Sequence, residues 1–436
     1  MQRVTCKFGG SSLADAGCIC NAVSIVRANP ARRFVVPSAP GKRGPDDKKI
    51  TDLLYAWYNM ARQGLDASEP RRIIEERFNG LAKDLEASFD VRPCLEEIAR
   101  RASVDGTPDY MASRGEYLNG RLIAEVLGAV FVDPAECILF REDGELDSVT
   151  YELLGARLEG EGYFVVPGFY GAMPDGSVKT FSRGGSDVTG AIVARASQSD
   201  LYENWTDVSG FRMADPRIVP DAKRIEEVTY RELRELSYMG ATVLHDEAIF
   251  PVREPGIPIH IRNTKDPENP GTMIVPSRKA TSPVCGIAGR AGFSMFNIEK
   301  TLMNKEHGFG RKLLSIFEGM GVSWEHMPSG IDTVSVIVRD DELKGKGAAI
   351  LEAVERQLSP DELNLTSGLA IIATVGQGMN HHVGVAARLT GAIAKAGINL
   401  RVIDQGSSEM NIIIGVESRD LEKSVKAIYD AFIDWA

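Results

Sequence analysis

The strongest constraint on the fold is a change of rhythm near residue 275. Before it, short apolar, β-branched runs alternate with longer stretches of helical period. "RVTCKFGG" reads as a strand ending in glycines, "ADAGCICNAVSIVRA" as a helix, "RRFVVPSAP" as a buried strand running into a turn, and "ITDLLYAWYNMARQ" as a helix. "AVFVDP", "EGYFVVPGF" and "PIHIRNT" add further strands. Strands separated by helices predict an α/β domain over residues 1–275. Its mostly parallel sheet would be sandwiched by helices and would bind ligands at the carboxyl ends of its strands.

The second rhythm begins after residues 269–283, a stretch rich in Pro, Thr and Ser whose last part, 276–283, reads as the linker. Two weakly similar units follow. One runs "FNIEKTLM", "GFGRKLLSIFEGMG", "VSWEHM", "DTVSVIV", "LKGKGAAILEAVERQL", "ELNLTSG"; the other runs "LAIIATVG", "GVAARLTGAIAKAG", "INLRVID", "MNIIIGV", "LEKSVKAIYDAFI". Strand-helix-strand-strand-helix-strand is the ferredoxin-like βαββαβ order. The second unit lacks its fourth strand, while "VCGIAGR" (284–290) stands unclaimed before the first. An open sheet edge is a liability. Residues 284–290 are therefore expected to cross over and complete 369–436 as the second unit, interleaved with the first at 291–368.

Composition narrows the function classes. A length of 436 residues calls for two or three domains. A net charge of −11 argues against nucleic acid and anionic membrane as partners, but leaves room for a small anion held by a few local cations. The six cysteines form no metal-ligand spacing and read as scattered, reduced, cytosolic thiols. No leader pattern opens the sequence, and no apolar run reaches membrane-spanning length.

Three turns carry the chemistry. In "KFGGSS", Gly9 and Gly10 let backbone N–H groups approach an anion, Ser11 and Ser12 can cap the next helix, and Lys7 adds a cation. An ordinary strand-to-helix turn explains the same letters equally well. No P-loop pattern occurs. In "SRGEYLNGRLIAEVLG", Ser113 reads as a helix start with Glu116 in the first turn, either as a capping box or placed to hold an ammonium. In "FSRGGSDVTG", Arg183 offers a planar fork for a carboxylate, and Ser186 or Asp187 can cap the helix that follows. "WTDVSGFRMADPRIVPDAKRI" is a turn-rich stretch that either binds a nucleotide or shapes a loop. The charged insert "GKRGPDDKK" (41–49) reads as a mobile loop over the site or as plain surface.

Taken together and in this order, "KFGGSS", "SRGE", "SRGGSD", "TDVSG…DPR" and "NT…P…GT", followed by two ACT-type units, resemble the aspartate kinase family over nearly the whole chain. The resemblance implies an amino acid kinase-like catalytic domain. It implies ATP-dependent transfer of the γ-phosphoryl to the side-chain carboxylate of L-aspartate, the first step towards lysine, threonine and methionine. By resemblance, Lys7 steadies the phosphates beside the backbone donors of Gly9, Gly10 and Ser11. Ser38 and Thr51 reach the phosphate or the aspartate. Arg183 clamps the α-carboxylate, while Glu116 and Asp187 take the ammonium. Thr206, Asp207, Arg212 and Arg217 lie along the ATP. Mg²⁺ bridges the phosphates without a protein ligand that the sequence names. Family members often carry Tyr at Arg212, Lys at Thr242 and Pro at Asp246, so this sequence departs from the family pattern at those three positions. The ACT units imply a homodimer or dimer of dimers and an amino-acid effector, lysine ranking before threonine, at Met303, Gly308, Phe309, Trp324 and Glu325. The rivals are an acetylglutamate-type kinase and a non-catalytic amino-acid sensor.

Overall fold

The computed structural model describes residues 2–181, 184–240, 243–244 and 246–435; Arg183, Thr242 and His245 lie outside the described residues, as does the side chain of Asp246. In chain order the elements begin with β1 (Val4–Phe8), α1 (Ala16–Arg27), β2 (Arg32–Pro37), α2 (Ile50–Arg62), α3 (Ser68–Asp84), α4 (Arg92–Val104) and α5 (Pro108–Leu127). There follow β3 (Val130–Phe131), α6 (Thr150–Arg157), β4 (Phe164–Val165), β5 (Tyr170–Ala172), β6 (Val178–Thr180), α7 (Gly185–Ala196) and β7 (Leu201–Thr206). Then come β8 (Glu227–Thr229), α8 (Tyr230–Tyr238), α9 (Phe250–Arg253), β9 (Ile259–Asn263) and β10 (Thr272–Val275). The C-terminal part holds β11 (Gly286–Glu299), α10 (Phe309–Gly319), β12 (Thr333–Arg339), α11 (Asp340–Leu343), α12 (Gly347–Leu358) and β13 (Glu362–Val375). It closes with α13 (Val385–Lys395), β14 (Val402–Asp404), β15 (Asn411–Glu417) and α14 (Leu421–Phe432).

The chain forms two compact units. The first comprises Met1–Phe211, Glu226–Tyr230 and Thr242–Arg278; the second comprises Arg212–Ile225, Arg231–Ala241 and Lys279–Ala436. The span 1–275, read from the sequence as one domain, thus gives two inner segments to the second unit. The reason is burial: Met213, Ala214, Val219 and Ala222 sit in the same apolar cluster as Ile372, Leu389 and Ile414.

The first unit is built on an eight-stranded sheet, among the described residues, in the order β3-β4-β2-β1-β7-β9-β10-β8. Every pairing is parallel except β9 with β10. β1 is wholly buried in the middle of it, which is why "VTCKF" needs little exposed polarity.

The second unit carries a five-stranded sheet in the order β12-β11-β13-β15-β14. Two 14-residue antiparallel strands, β11 and β13, run through both of its ferredoxin-like halves. Residues 286–291 pair with 370–375, on the β15 side; residues 293–299 pair with both β12 and the first part of β13. The register shifts near Gly292, whose φ is +93°, and Gly368 across from it has φ +76°. Only glycine takes such angles freely, so these two positions let each strand turn from one half into the other. "VSWEHM", read as a strand, makes one isolated bridge, His326 with Ile337, and Ser329 just beyond it makes another with Val334. Pro328 removes a ladder donor there.

Candidate active site

β1 and β7 run side by side in register, Lys7 opposite Asn204 and Cys6 opposite Glu203. Alternation along a strand puts Lys7 and Asn204 on one face and Cys6 and Glu203 on the other. On the first face Lys7 Nζ lies 2.6 Å from Asp187 Oδ1, with both side chains only 10% and 13% exposed. Asn204 Nδ2 donates to the same Oδ1 at 2.8 Å, and Tyr202 Oη donates to the Asp187 carbonyl at 3.0 Å. Two strands and the first turn of α7 therefore hold one carboxylate against one ammonium. Oδ2 takes neither of these bonds.

This pair opens into a cleft of about 250 Å³ lined by Lys7, Gly9, Gly10, Ser38, Phe169, Gly184, Gly185, Ser186 and Asp187. It lies at the carboxyl ends of β1 and β2, where a parallel sheet accepts ligands. Backbone needs explain the glycines. Gly184 has φ +77° and serves as the N-cap of α7. A Cβ on Gly185 would fall 2.7 Å from the Phe169 ring. Ser186 and Asp187 are thus the second and third residues of α7 and neither caps it: the left-handed glycine starts the helix earlier than the polar side chains suggest.

Two further expectations at helix starts are corrected. Gly10–Leu13 forms a 3₁₀ turn, and α1 is capped by Asp15, which accepts from Cys18 N at 2.8 Å. Ser12 is buried, its hydroxyl 2.9 Å from Thr264 Oγ1, and caps nothing. Ser11 stays exposed. Likewise α5 does not begin at Ser113. Thr107 caps it by accepting from Tyr110 N at 3.1 Å, and Pro108 supplies the pre-set first turn. Ser113 and Glu116 are therefore inside the helix, and Ser113 Oγ donates to Tyr110 O.

Glu116 is nonetheless the most perturbed carboxyl near the cleft. It is 7% exposed, and among the described residues its Oε2 has no hydrogen-bond partner. Burial raises its pKa from 4.5 to about 7, against the pull of the Ala39 N–H and of Arg114. A Cβ on the preceding Gly115 would stand 2.9 Å from Ala39 Cβ. That close packing brings α5 against residues 38–39, where Asn119 Nδ2 donates to Ser38 O at 2.7 Å. Ser38 N donates to Phe8 O at 3.1 Å, tying the end of β2 to β1. Thr51 is the second residue of α2, half-buried, and is not among the residues lining the cleft.

At the end of β7, Thr206 Oγ1 donates to Asp207 Oδ1 at 3.3 Å, and Asp207 is exposed. Arg212 and Arg217 belong to the second unit. There Arg212 donates to Ala222 O at 2.8 Å, and Arg217 clasps Asp215 through Nε and Nη2 with its side chain 85% exposed. Among the effector candidates, Met303 and Phe309 are buried in an apolar cluster with Phe296, Leu313 and Phe317. Trp324 is 48% exposed. Gly308 caps α10 with φ +78°. The Glu325 carboxylate is buried, 3.9 Å from Arg339 Nε.

Sequence reasoning missed Asn204 and Asn119. Each is a buried amide that bonds a residue of the cleft, and a polar letter inside an otherwise buried strand, as in "LYENWT", was the available signal. Among the described residues no group of three or more His, Cys, Asp or Glu side chains is placed to hold a metal ion. No helix among the described residues is long and apolar enough to cross a membrane.

Residues 2–263 match the amino acid kinase family and residues 372–432 match the ACT domain. Aspartokinase 3 of Bacillus subtilis is 39% identical over 98% of both chains. The crystal structure of Clostridium acetobutylicum aspartate kinase superposes with a TM-score of 0.91 at 46% identity, covering 99% of this chain and all of that one. Escherichia coli aspartokinase III in complex with aspartate and ADP gives 0.78 at 25% identity, covering 99% of this chain and all of that one. The same enzyme with lysine and aspartate gives 0.75 at 26%, with full coverage of both chains. With its catalytic span and its length both matched, the chain belongs to the amino acid kinase family and, within it, to the aspartokinases.

Proposed function

We infer that the cleft beside Lys7 is the catalytic centre of this aspartokinase. The reaction carries the γ-phosphoryl of ATP to the side-chain carboxylate of L-aspartate. A carboxylate oxygen forms the new bond to phosphorus, the bond from phosphorus to the β,γ-bridging oxygen breaks, and ADP leaves with that electron pair. A carboxylate with a pKa of about 3.9 is already ionised at neutral pH, so no general base is needed. The difficulty is to bring one anion to another, and alignment with charge neutralisation answers it.

The observation that carries this reading is the Lys7–Asp187 pair, 2.6 Å apart at the edge of the glycine-lined cleft. In this reading Asp187 and Asn204 hold the Lys7 ammonium ready for the phosphates. Backbone N–H groups of Gly9, Gly10 and Ser11 meet the same oxygens. Ser38 meets the aspartate, and Thr51 joins it only if the 50–51 segment closes inward. Arg183 takes the α-carboxylate and Glu116 the ammonium. Thr206 and Asp207 flank the nucleotide. Mg²⁺ bound to the nucleotide supplies further neutralisation of its phosphates.

Regulation belongs to the same proposal. The ACT halves receive an amino acid, lysine first and threonine second, at Gly308, Trp324 and Glu325. Met303 and Phe309 form the apolar floor beneath, and two copies of the chain pair through these halves in the cytoplasm. Lysine bound to the E. coli relative supports the choice. A hydroxamate assay with ATP and L-aspartate, with and without lysine, tests the reading. Trapped aspartyl phosphate that lysine suppresses is expected. Turnover with N-acetylglutamate alone, or with no amino acid at all, would overturn it.

A further inference from the structure

The insert "GKRGPDDKK" at 41–49 plays no part in the mechanism above, yet the fold does not leave it loose. Arg77 of α3 is 6% exposed, and its guanidinium holds two separate loops. Nη1 donates to Asp47 Oδ2 at 2.6 Å. Nη2 donates to Gly41 O at 2.8 Å and to Ala14 O at 2.7 Å. Ala14 closes the Gly10–Leu13 turn. The loops also meet directly: Gly41 N donates to Gly10 O at 2.8 Å, and a Cβ on Gly41 would fall 2.5 Å from that oxygen. Arg43 adds a clasp on Asp47 at 3.0 and 3.1 Å. A solvated surface loop turns its charges outward. Here one carboxylate turns inward to meet a buried cation, and a planar fork reaches acceptors from two separate nitrogens in fixed geometry, where a lysine has one.

We propose that Arg77 is a positioning residue for phosphoryl transfer: it locks residues 41–49 to the glycine turn, so that the backbone donors of Gly10 and Ser11 stand fixed at the phosphate end of the cleft. The proposal rests on the assignment of that cleft made above. Fixed donors need no reorganisation as charge moves, and a displacement of about 1 Å can cost on the order of a hundredfold in rate.

Hydrogen exchange and steady-state kinetics per folded enzyme, on Arg77→Met, Arg77→Lys, Arg77→Ala and Asp47→Asn, test this. In Arg77→Met, exchange at 10–14 and 39–49 should rise together, and kcat should fall about thirtyfold with the aspartate KM within about twofold. Asp47→Asn keeps both carbonyl bonds and should lose about threefold in kcat. Guanidinium ion added to Arg77→Ala should restore at least about fivefold, and Arg77→Lys should stay impaired. Faster exchange with unchanged kcat would make Arg77 a mere loop anchor and overturn the proposal. Lost kcat without faster exchange at 10–14 would overturn it too. If Arg77→Met fails to fold, Asp47→Asn and Arg77→Lys decide by the same two readings. Failure of the cleft assignment itself has a separate sign: Lys7→Met would keep its activity whatever Arg77 does.

Discussion

The two faces of β1 and β7 carry charges one residue apart with opposite fates. On one face Lys7, Asn204 and Asp187 border an open cleft. On the other, Glu203 is closed in. Arg32 bonds it at 2.8 and 3.1 Å, Trp205 Nε1 donates to it at 2.9 Å, Cys6 Sγ at 3.4 Å, and Arg262 stands 3.6 Å away. Both guanidinium groups also lie over the Trp205 ring. Burial pushes the Glu203 carboxyl up, but Arg32, Trp205 and Cys6 together hold it below its ordinary value. The Glu203 carboxylate has partners on both oxygens, whereas the open set faces a cavity a ligand can enter. Partner saturation, more than charge or burial, separates scaffold from site in this molecule.

Substitution on each face should therefore move a different quantity. Lys7→Met is the largest expected effect. Loss of one preorganised cation at the transferring group should lower kcat on the order of a thousandfold. Stability should fall by about 1–3 kcal/mol, because the pair is largely buried but Asp187 keeps its bond from Asn204 beside the open cleft. Glu203→Gln is the mirror experiment. It leaves Arg32 buried and Arg262 half-buried without their counter-charge, which costs about 3–5 kcal/mol in urea unfolding, while kcat per folded molecule stays within about twofold. A Glu203→Gln enzyme that keeps its stability and loses turnover would erase the contrast.

Glu116→Gln sharpens the comparison, because Glu116 is a buried carboxyl whose Oε2, among the described residues, has no hydrogen-bond partner. Its pKa is raised from 4.5 to about 7. Between those values the folded state keeps a proton that the unfolded chain has released, so stability falls as pH rises through that window. The full span is worth about 3 kcal/mol at most. The glutamine variant should be more stable than the parent by up to that amount at pH 8 and nearly equal to it at pH 4 to 5. If Glu116 meets the substrate ammonium, binding selects its ionised form. The aspartate KM of the parent should then fall about tenfold from pH 6 to pH 8, and that of the variant should be flat and high. A flat parent profile would remove Glu116 from the substrate's partners.

How much of this was legible in the sequence depends on the range of the interaction. The parallel sheet and the shared ferredoxin-like halves follow from alternation and strand order, which are local patterns. "KFGGSS" and "RGGSD" mark two turns, and the structure brings Lys7 and Asp187 of those turns to 2.6 Å. Helix starts were misread where two signals competed. Thr107–Pro108 outranks Ser113, Asp15 outranks Ser11 and Ser12, and a left-handed Gly184 outranks Ser186 and Asp187. Asn204, Asn119 and Arg77 act across 17 to 81 residues of chain. No local pattern announces a partner that distant. The same holds for 212–225, whose apolar residues find their cluster in the second unit.

Ser12→Ala is the smallest expected effect, and it tests whether position beside a phosphate turn is enough to make a residue functional. The hydroxyl is buried 2.9 Å from Thr264 Oγ1, and Thr264 N donates to Thr206 O at 2.9 Å, so the pair ties the turn after β1 to the ends of β7 and β9. Ser12 is also absent from the residues lining the cleft. Losing one such bond should cost about 1 kcal/mol of stability. Both kcat and the ATP KM should stay within about twofold, placing Ser12 with Glu203 among the saturated groups although it is two residues from Gly10. A rise in the ATP KM with no change in unfolding would show that the hydroxyl leaves Thr264 for the nucleotide, and the line between the two faces would then have to be drawn by what a group can reach when ligand arrives, not by the partners it holds beforehand.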